Sequence, residues 1–597
     1  MPVQGTAVRE VDGQGSFNLE PTATEAGIPA RLGTFRSTCD ALDYAATGQS
    51  GVNFYNSEGL LTRNLTYREL REKALEMAGR MAARFARGAR IGVLAETSPD
   101  FVITFMACQY AGMVPAPLSL PAAFGGRQTY EWQVSNMVRS AGLSAVFAPP
   151  ALHEILSSAT ASQEIDLFDL GGGNLPAETA EPVPHGPDEL SYIQFSSGST
   201  SEPKGIVATQ ASLSANCRAI IQEGLQVREG DRAVSWLPLY HDMGLVGFFI
   251  APLYSQLSID FLSPTDFARR PGTWLKLISA NKGTLSYSPS FGYELCVRRH
   301  RGEALDLSSW RAAGIGGDMV RADALDQFSE TFAGAGFRRS SFVASYGLAE
   351  STLAVSFAPL DTGLNTDRVD VTRMQASGRA VPASDLTREG AERSFVSCGR
   401  PLPSTELKIV GSDGDELGFR QVGRILIRSA SLAAGYFRVD RDLQPLTDED
   451  GWLDTGDLGY WLDDEIVVTG RSKDMILSNG RNIWPQDIEW VAQKVGGRLV
   501  ARSAAFELRE TADASRIILL VECRSQEADV RETLTGDIAA AARSVAGAPV
   551  SVELVSIKTL PVTSSGKLSR AASRNAYVSG LINQDKAEAS SRAAALP

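Results

Sequence analysis

Residues 196–205 read SSGSTSEPKG, a stretch almost without apolar side chains that ends in Lys204 between a proline and a glycine. A Ser/Gly/Thr cluster is commonly a surface turn, because small hydroxylated residues satisfy the local backbone. The flanks argue for more. Upstream, DELSYIQF carries Leu190, Tyr192, Ile193 and Phe195 and predicts a strand. Downstream, GIVATQASLSANCRAII starts β-branched and turns helical, with Leu213, Cys217, Ile220 and Ile221 near one face. A strand feeding a loop of small residues gathers free N–H groups and hydroxyls around one lysine, which is how a protein holds a polyphosphate. The spacing is not that of a Walker loop, which needs GxxxxGK and then Ser or Thr; Lys204 follows Pro203 and precedes Gly205.

Four more stretches carry groups of the same kind, each with a plainer reading beside it. SYGLAESTLAV (345–355) sets Tyr346 four residues before Glu350, an acid that alone reads as solvated or capping. GWLDTGDLGYW (451–461) holds Asp457 in a tight turn, for which an Asx turn suffices. GRSKDMILSNGRNIWPQDIE (470–489) mixes charge, glycine and a proline ahead of a helix and reads as a hinge. LPVTSSGKLSR (560–570) puts Lys567 on a second small-residue loop, where a lone lysine is ordinarily solvated.

The elements that must position these groups follow from pattern. Strand-like RIGVLAE (90–96) and SAVFAPP (144–150) alternate with helical YRELREKALEMAGRMAARFA (67–86), the pattern of α/β layers with largely parallel sheets. From about 395 to 470, TELKIVGSDGD, GRILIRS and DEIVVTGR change the texture to short strands and turns, predicting a β-barrel-like subdomain. Residues 358–397 are polar, weakly periodic and long, which predicts a functional insertion or a disordered loop. QDIEWVAQKV, RIILLVEC and SVELVSI then predict a small, mobile α+β C-terminal domain. The expected division is a tail at 1–25, a large domain of two α/β subdomains plus the β-rich one at 26–472, a small domain at 473–583 and a second tail at 584–597.

Bulk properties narrow the field. A formal charge of −13 and a pI near 5.1 argue against a general nucleic-acid binder. The six cysteines are scattered without CxxC spacing, so reduced structural thiols are expected rather than disulfides or a metal site. The N-terminus lacks the apolar core of a signal peptide, and the longest apolar run, GLVGFFIAPLY (244–254), falls short of the roughly 20 residues that span a bilayer. A cytoplasmic protein that does not span a membrane is the expectation.

Taken together and in order, SSGSTSEPKG, YGLAE, TGD, GRSKD and SGK resemble the adenylate-forming superfamily of acyl-CoA synthetases, luciferases and peptide-synthetase adenylation domains, over nearly the whole chain. The resemblance implies two steps: a carboxylate attacks the α-phosphate of ATP and expels pyrophosphate, then a thiol takes the acyl group from the adenylate. Residue by residue it assigns Ser197, Gly198, Ser199, Thr200 and Lys204 to the phosphates, and Tyr346, with Ser345, Gly347, Gly317 and Asp318, to the adenine side. It assigns Glu350, with Thr200, to Mg²⁺, Asp457 to the ribose hydroxyls, and Arg471 to ribose or phosphate. Lys567 is the expected catalytic lysine, reaching the carboxylate and α-phosphate, with His241 and Glu350 beside it as catalytic candidates; Lys473 marks the hinge.

Within that superfamily the chain looks most like a fatty acyl-AMP ligase. GRNIWPQDIE (480–489) has that form, residues 358–397 sit where those enzymes carry an insertion, and WLPLYHDMGLVGFF (236–249) shows no acid to pair an α-ammonium. The implied acceptor is the phosphopantetheine thiol of an acyl carrier protein, or of a polyketide or nonribosomal peptide synthase carrier domain, and the implied substrate is a fatty acid. An acyl-CoA synthetase, for a fatty or aryl acid, is the alternative, and a non-catalytic relative that keeps only the nucleotide pocket is a third reading. Two departures stand out: GGDMV (316–320) has Asp-Met where Glu-Pro is usual, and the opening loop has SEP where Gly or Arg is common. Lys567, Arg570 and Arg574 form the nearest basic patch for docking a carrier, or else a solvated helix face.

Overall fold

The computed structural model describes residues 27–121, 126–163, 165–196, 203–387, 391–438, 442–478, 481–509, 515–562 and 568–582. Two parallel sheets form its bulk. In the larger, Gly51–Tyr55, Ile259–Leu262, Ala233–Ser235, Leu285–Ser288, Ala312–Ile315 and Phe342–Gly347 run parallel in that order. Antiparallel Leu61–Thr66 at one edge, and Ala354–Phe357 then Arg400–Pro401 at the other, bring it to nine strands. The smaller sheet orders Val114–Leu118, Arg90–Leu94, Ala145–Ala148 and Asp166–Asp169, all parallel. These strands read as continuous apolar runs because helices cover both faces of a parallel sheet. The periodic stretch at 67–86 forms the helix Tyr67–Arg84, with Thr66 accepting from the Glu69 N–H as its N-cap.

Lys204 begins a strand, Lys204–Thr209, antiparallel to Leu190–Ser196 on one side and to Gly435–Phe437 on the other. Thr209 then caps the helix Gln210–Ala219 through a capping box with Ser212, so the step from the Lys204 strand into this helix is set locally.

The β-rich stretch is a four-stranded antiparallel sheet in linear order, Thr405–Val410, Gly423–Ser429, Leu453–Leu462, Glu465–Arg471, and it is not a closed barrel. Its two faces are covered by neighbours instead of by closure. One face sets Ile409, Ile425, Ile427 and Ile466 on Tyr346 and Val355 of the large sheet. The other presents Tyr460 and Val467, one residue out of phase, to the segment 358–397.

That segment is folded. Thr366–Asp370 pairs antiparallel with Glu392–Val396 across the helix Val371–Ser377, which Asp370 caps by accepting from the Arg373 N–H at 3.0 Å. Val369, Met374 and Phe395 bury against Tyr460, Val467 and Trp484. Beyond residue 472, Val500–Arg509, Ser515–Cys523 and Val550–Val555 form a three-stranded sheet under the helices Pro485–Gly496 and Ala528–Ala546, around Ile488, Leu519 and Ile538. Among the described residues, no helix is long and apolar enough to cross a membrane.

Candidate active site

A cavity of about 440 Å³ opens where the large sheet, the Lys204 strand and the four-stranded sheet meet. Its walls divide by chemistry. One side carries Lys204, Arg471 and Lys473 with the carboxylates of Glu350 and Asp457 and the backbone of Gly316 and Gly317. The other is apolar, from Ile220, Leu225, Phe248, Tyr287, Leu353 and Phe357.

Each charged group is presented by a defined local structure. Asp457 follows Gly456, whose φ of +71° makes the tight turn, and its N–H donates to Thr455 Oγ1 at 3.1 Å. In register it stands opposite Arg471 on the next strand, with Nε 3.4 Å from Oδ1. Tyr346, buried at the end of the strand Phe342–Gly347, donates its hydroxyl to Asp457 Oδ2 at 2.8 Å. Glu350 lies in a short 3₁₀ turn, Ala349–Ser351, followed by Thr352 at φ +63°, an unusual conformation for a β-branched residue. Thr352 Oγ1 donating to the Ser431 carbonyl at 2.7 Å, and the Ala433 N–H donating to the Glu350 carbonyl at 2.9 Å, hold that turn. His241 caps the turn Asp242–Leu245, with Nδ1 2.5 Å from Asp242 Oδ1.

The electrostatics of the site are set by burial and by neighbouring charge. Burial raises the Glu350 and Asp457 carboxyls above the ordinary range, although Arg471 pulls both down. Burial lowers Lys473, and Arg471 and Lys204 add to that by repulsion. Crowded cations beside strained carboxylates suit a polyanion together with a cation. With apolar side chains lining the same cavity, the arrangement suits bringing an amphiphilic carboxylate to a polyphosphate.

Of the residues singled out from sequence, Lys204, His241, Gly317, Ser345, Tyr346, Gly347, Glu350, Asp457, Arg471 and Lys473 line this one cavity. Ser197, Gly198, Ser199, Thr200 and Lys567 lie outside the described residues. Asp318 is exposed, off the cavity wall, and accepts from its neighbour's N–H. The docking assignment of Arg570 is overturned: its side chain is 19% exposed, paired with Glu489 at 2.7 Å and Asp474 at 3.1 Å, so it joins the last helix to the helix Pro485–Gly496 and the turn Ser472–Asp474 instead of facing a partner.

Sequence reasoning missed Tyr436. Its ring centroid lies 5.0 Å from Lys204 Nζ, and its hydroxyl is 3.5 Å from Glu350 Oε1, so one side chain touches both the lysine and the acid. The signal is tertiary, because Tyr436 reaches the site only through the pairing of its strand with Ile206.

Comparison with known proteins agrees with this geometry. The profile of the AMP-binding enzyme family matches residues 47–437. A protein of Caulobacter vibrioides (strain NA1000 / CB15N) named as a putative acyl-CoA synthetase is 44% identical over 576 residues, covering 94% of this chain and 98% of its own length. The medium-chain-fatty-acid--[acyl-carrier-protein] ligase JamA of Moorena producens (strain JHB) is 31% identical, covering 92% of this chain and 96% of its own. A solved structure from work on fatty acyl-adenylate ligases of E. coli and L. pneumophila superposes with a TM-score of 0.86 at 40% identity, over 92% of this chain and 99% of that one.

Proposed function

The chain belongs to the AMP-binding enzyme family, an adenylate-forming ligase like the fatty acyl-AMP ligases, and from that premise we propose that it activates a fatty acid with ATP and delivers the acyl group to the phosphopantetheine thiol of an acyl carrier protein. In the first step a carboxylate oxygen bonds to the α-phosphorus while the bond to the bridging oxygen breaks, and pyrophosphate leaves with the electron pair. Catalysis is then positioning plus neutralisation of growing charge. Lys204, with Ser197, Gly198, Ser199 and Thr200, receives the departing pyrophosphate. Tyr346, Ser345, Gly347 and Gly317 face adenine, while Asp457 accepts from the ribose hydroxyls with Arg471 beside it. Lys567 neutralises the attacking carboxylate and the α-phosphate, and His241, backed by Asp242, stands at the acyl entrance.

Mg²⁺ fits the acid present: it binds proteins through one or two carboxylates plus substrate phosphates, and Glu350 is a half-buried oxygen donor whose raised carboxyl a cation would relieve. Glu350 with Thr200 would hold it, and when bound it supplies charge neutralisation on phosphate oxygens. In the second step the carrier thiol bonds to the acyl carbon, AMP leaves, and the thiol proton is lost.

The observation that carries the carrier-protein reading is the seam between 358–397 and the small domain. Arg393 Nη1 lies 2.6 Å from Asp487 Oδ1, with both side chains under a tenth exposed, and Trp484 packs beside them. A small domain held by the insertion is restrained from the rotation that would admit free CoA. The Caulobacter relative's name favours the second reading, transfer to CoA. Purified enzyme supplied with ATP, Mg²⁺ and fatty acids is expected to exchange pyrophosphate and to load a holo carrier, with acyl-CoA formed only after deletion of 358–397. Acyl-CoA release by the intact chain as fast as carrier loading overturns the acceptor assignment; an absence of exchange overturns the activity itself.

A further inference from the structure

The apolar wall of the cavity has a construction of its own. Two π-helical segments border it, Ile220–Gly224 and Val246–Ile250, and such segments are rare and concentrate at functional sites. Each offers a glycine to a side chain that lines the cavity. A Cβ on Gly224 would stand 3.0–3.1 Å from three ring carbons of Phe357, and one on Gly247 would stand 3.2 Å from Leu353 Cδ2. Gly224 has no left-handed backbone to explain it, since it is absent from the positive-φ residues. What its bare Cα provides is a seat for the Phe357 ring.

The ring has no slack behind it. Asn216, buried one turn before the first π segment, donates Nδ2 to the Ala354 carbonyl at 2.8 Å and accepts from the Ala354 N–H at 3.0 Å, fixing the strand to the helix. On the far side, a Cβ on Gly399 would fall 1.9 Å from the Phe357 carbonyl oxygen, so the backbone is pressed there too. Phe357 is half-buried, and its free side is the cavity. With the strand clamped, any bulk added at Gly224 moves the ring into that space, and any bulk removed at 357 enlarges it.

We infer that Phe357, seated on Gly224, sets the length of acyl chain the cavity accepts, a specificity role that rests on reading the apolar wall as the acyl site. The two positions then act with opposite sign. Phe357→Ala deepens the limb and admits longer acids, whereas Gly224→Ala pushes the ring inward and rejects the longest acids the parent takes. A methylene gained or refused in an apolar pocket is worth roughly 10- to 200-fold in kcat/KM, so the ratio between adjacent long homologues is expected to move about tenfold in each direction.

The full-length parent, Phe357→Ala, Phe357→Leu, Gly224→Ala and the double Gly224→Ala/Phe357→Ala are compared over saturated fatty acids of increasing length. The ladder is read first as protection of each protein against thermal unfolding, which needs no chemistry, and second as acid-dependent ATP–pyrophosphate exchange. The expected result is a longer optimum for Phe357→Ala and, to a smaller extent, Phe357→Leu, a shorter one for Gly224→Ala, and restoration of longer acids in the double variant. Superimposable ladders, or both single variants shifting the same way as a loosened fold would, overturn the assignment. Protection that follows chain length without exchange in the parent refutes the adenylating activity and leaves the length gauge standing.

Discussion

Glu350 shows what a residue at this site costs the protein that keeps it. Burial raises its carboxyl, so the folded state holds a proton there more tightly than the unfolded state does. The stability tied to that group is fully present below the unfolded value of about 4.3 and is lost as pH rises through the folded value. At neutral pH the ionised side chain is therefore a net cost. Glu350→Gln is expected to raise the melting temperature of the ligand-free protein at pH 7.5, with the gain fading as pH is lowered through the folded value of the carboxyl, read by calorimetry at each pH. The same variant is expected to lose at least about 100-fold in pyrophosphate exchange, because the acid that suits the metal is gone. Thr352, held at φ +63° beside it, belongs to the same economy of function over stability. Sequence spacing found Glu350, Asp457 and Arg471 because each sits in a short motif, and it misplaced Arg570 for a reason the motif cannot carry. The partners of Arg570, Glu489 and Asp474, come from the helix Pro485–Gly496 and from the turn Ser472–Asp474.

At the scale of elements, the seam between the segment 358–397 and the helix Pro485–Gly496 joins the packing of Trp484 to a buried ion pair. Burial pushes Arg393 down and Asp487 up, and their mutual attraction opposes both shifts. Asp487 Oδ2 has no hydrogen-bond partner among the described residues, while the guanidinium lies 4.3 Å from the Phe395 ring centroid and 5.1 Å from that of Trp490. Removing one partner leaves the other charged in a dry place. Arg393→Ala is expected to cost about 3–5 kcal/mol in urea unfolding, whereas Arg393→Met combined with Asp487→Leu recovers most of it. The strands Arg90–Leu94 and Ala145–Ala148 and the helix Tyr67–Arg84 were legible in sequence because their periodicity is local. The fold of the segment 358–397 was not. Val369, Met374 and Phe395 are too sparse to show a period, and the residues that complete their core, Tyr460 and Trp484, lie far along the chain.

For the whole molecule, α/β layering could be read from sequence, and Lys204, Tyr346, Glu350, Asp457 and Arg471, each picked out by its motif, line one cavity, while closure of the β-rich stretch could not be read. Alternation along a strand says that two faces exist and not what will cover them; here Tyr346 and Val355 cover one and the insertion the other. One consequence concerns the proposed boundary at 472. Trp484 and Asp487 lie beyond it in sequence and bury against the insertion before it. A fragment 26–472 is therefore expected to melt several degrees below the full chain and to bind an apolar dye, and an unchanged melting temperature would show that the seam adds nothing. The roots of the insertion point further. Phe357 and Arg400 are opposite one another in the ladder, so the chain that leaves the sheet at one returns beside it at the other. Opposite residues of antiparallel strands stand about 4.5–5.5 Å apart, a gap that a tight turn spans. Such a segment is built as a cassette: its two ends meet at one rung of the ladder, so its excision would ask only a short turn of the sheet that carries it.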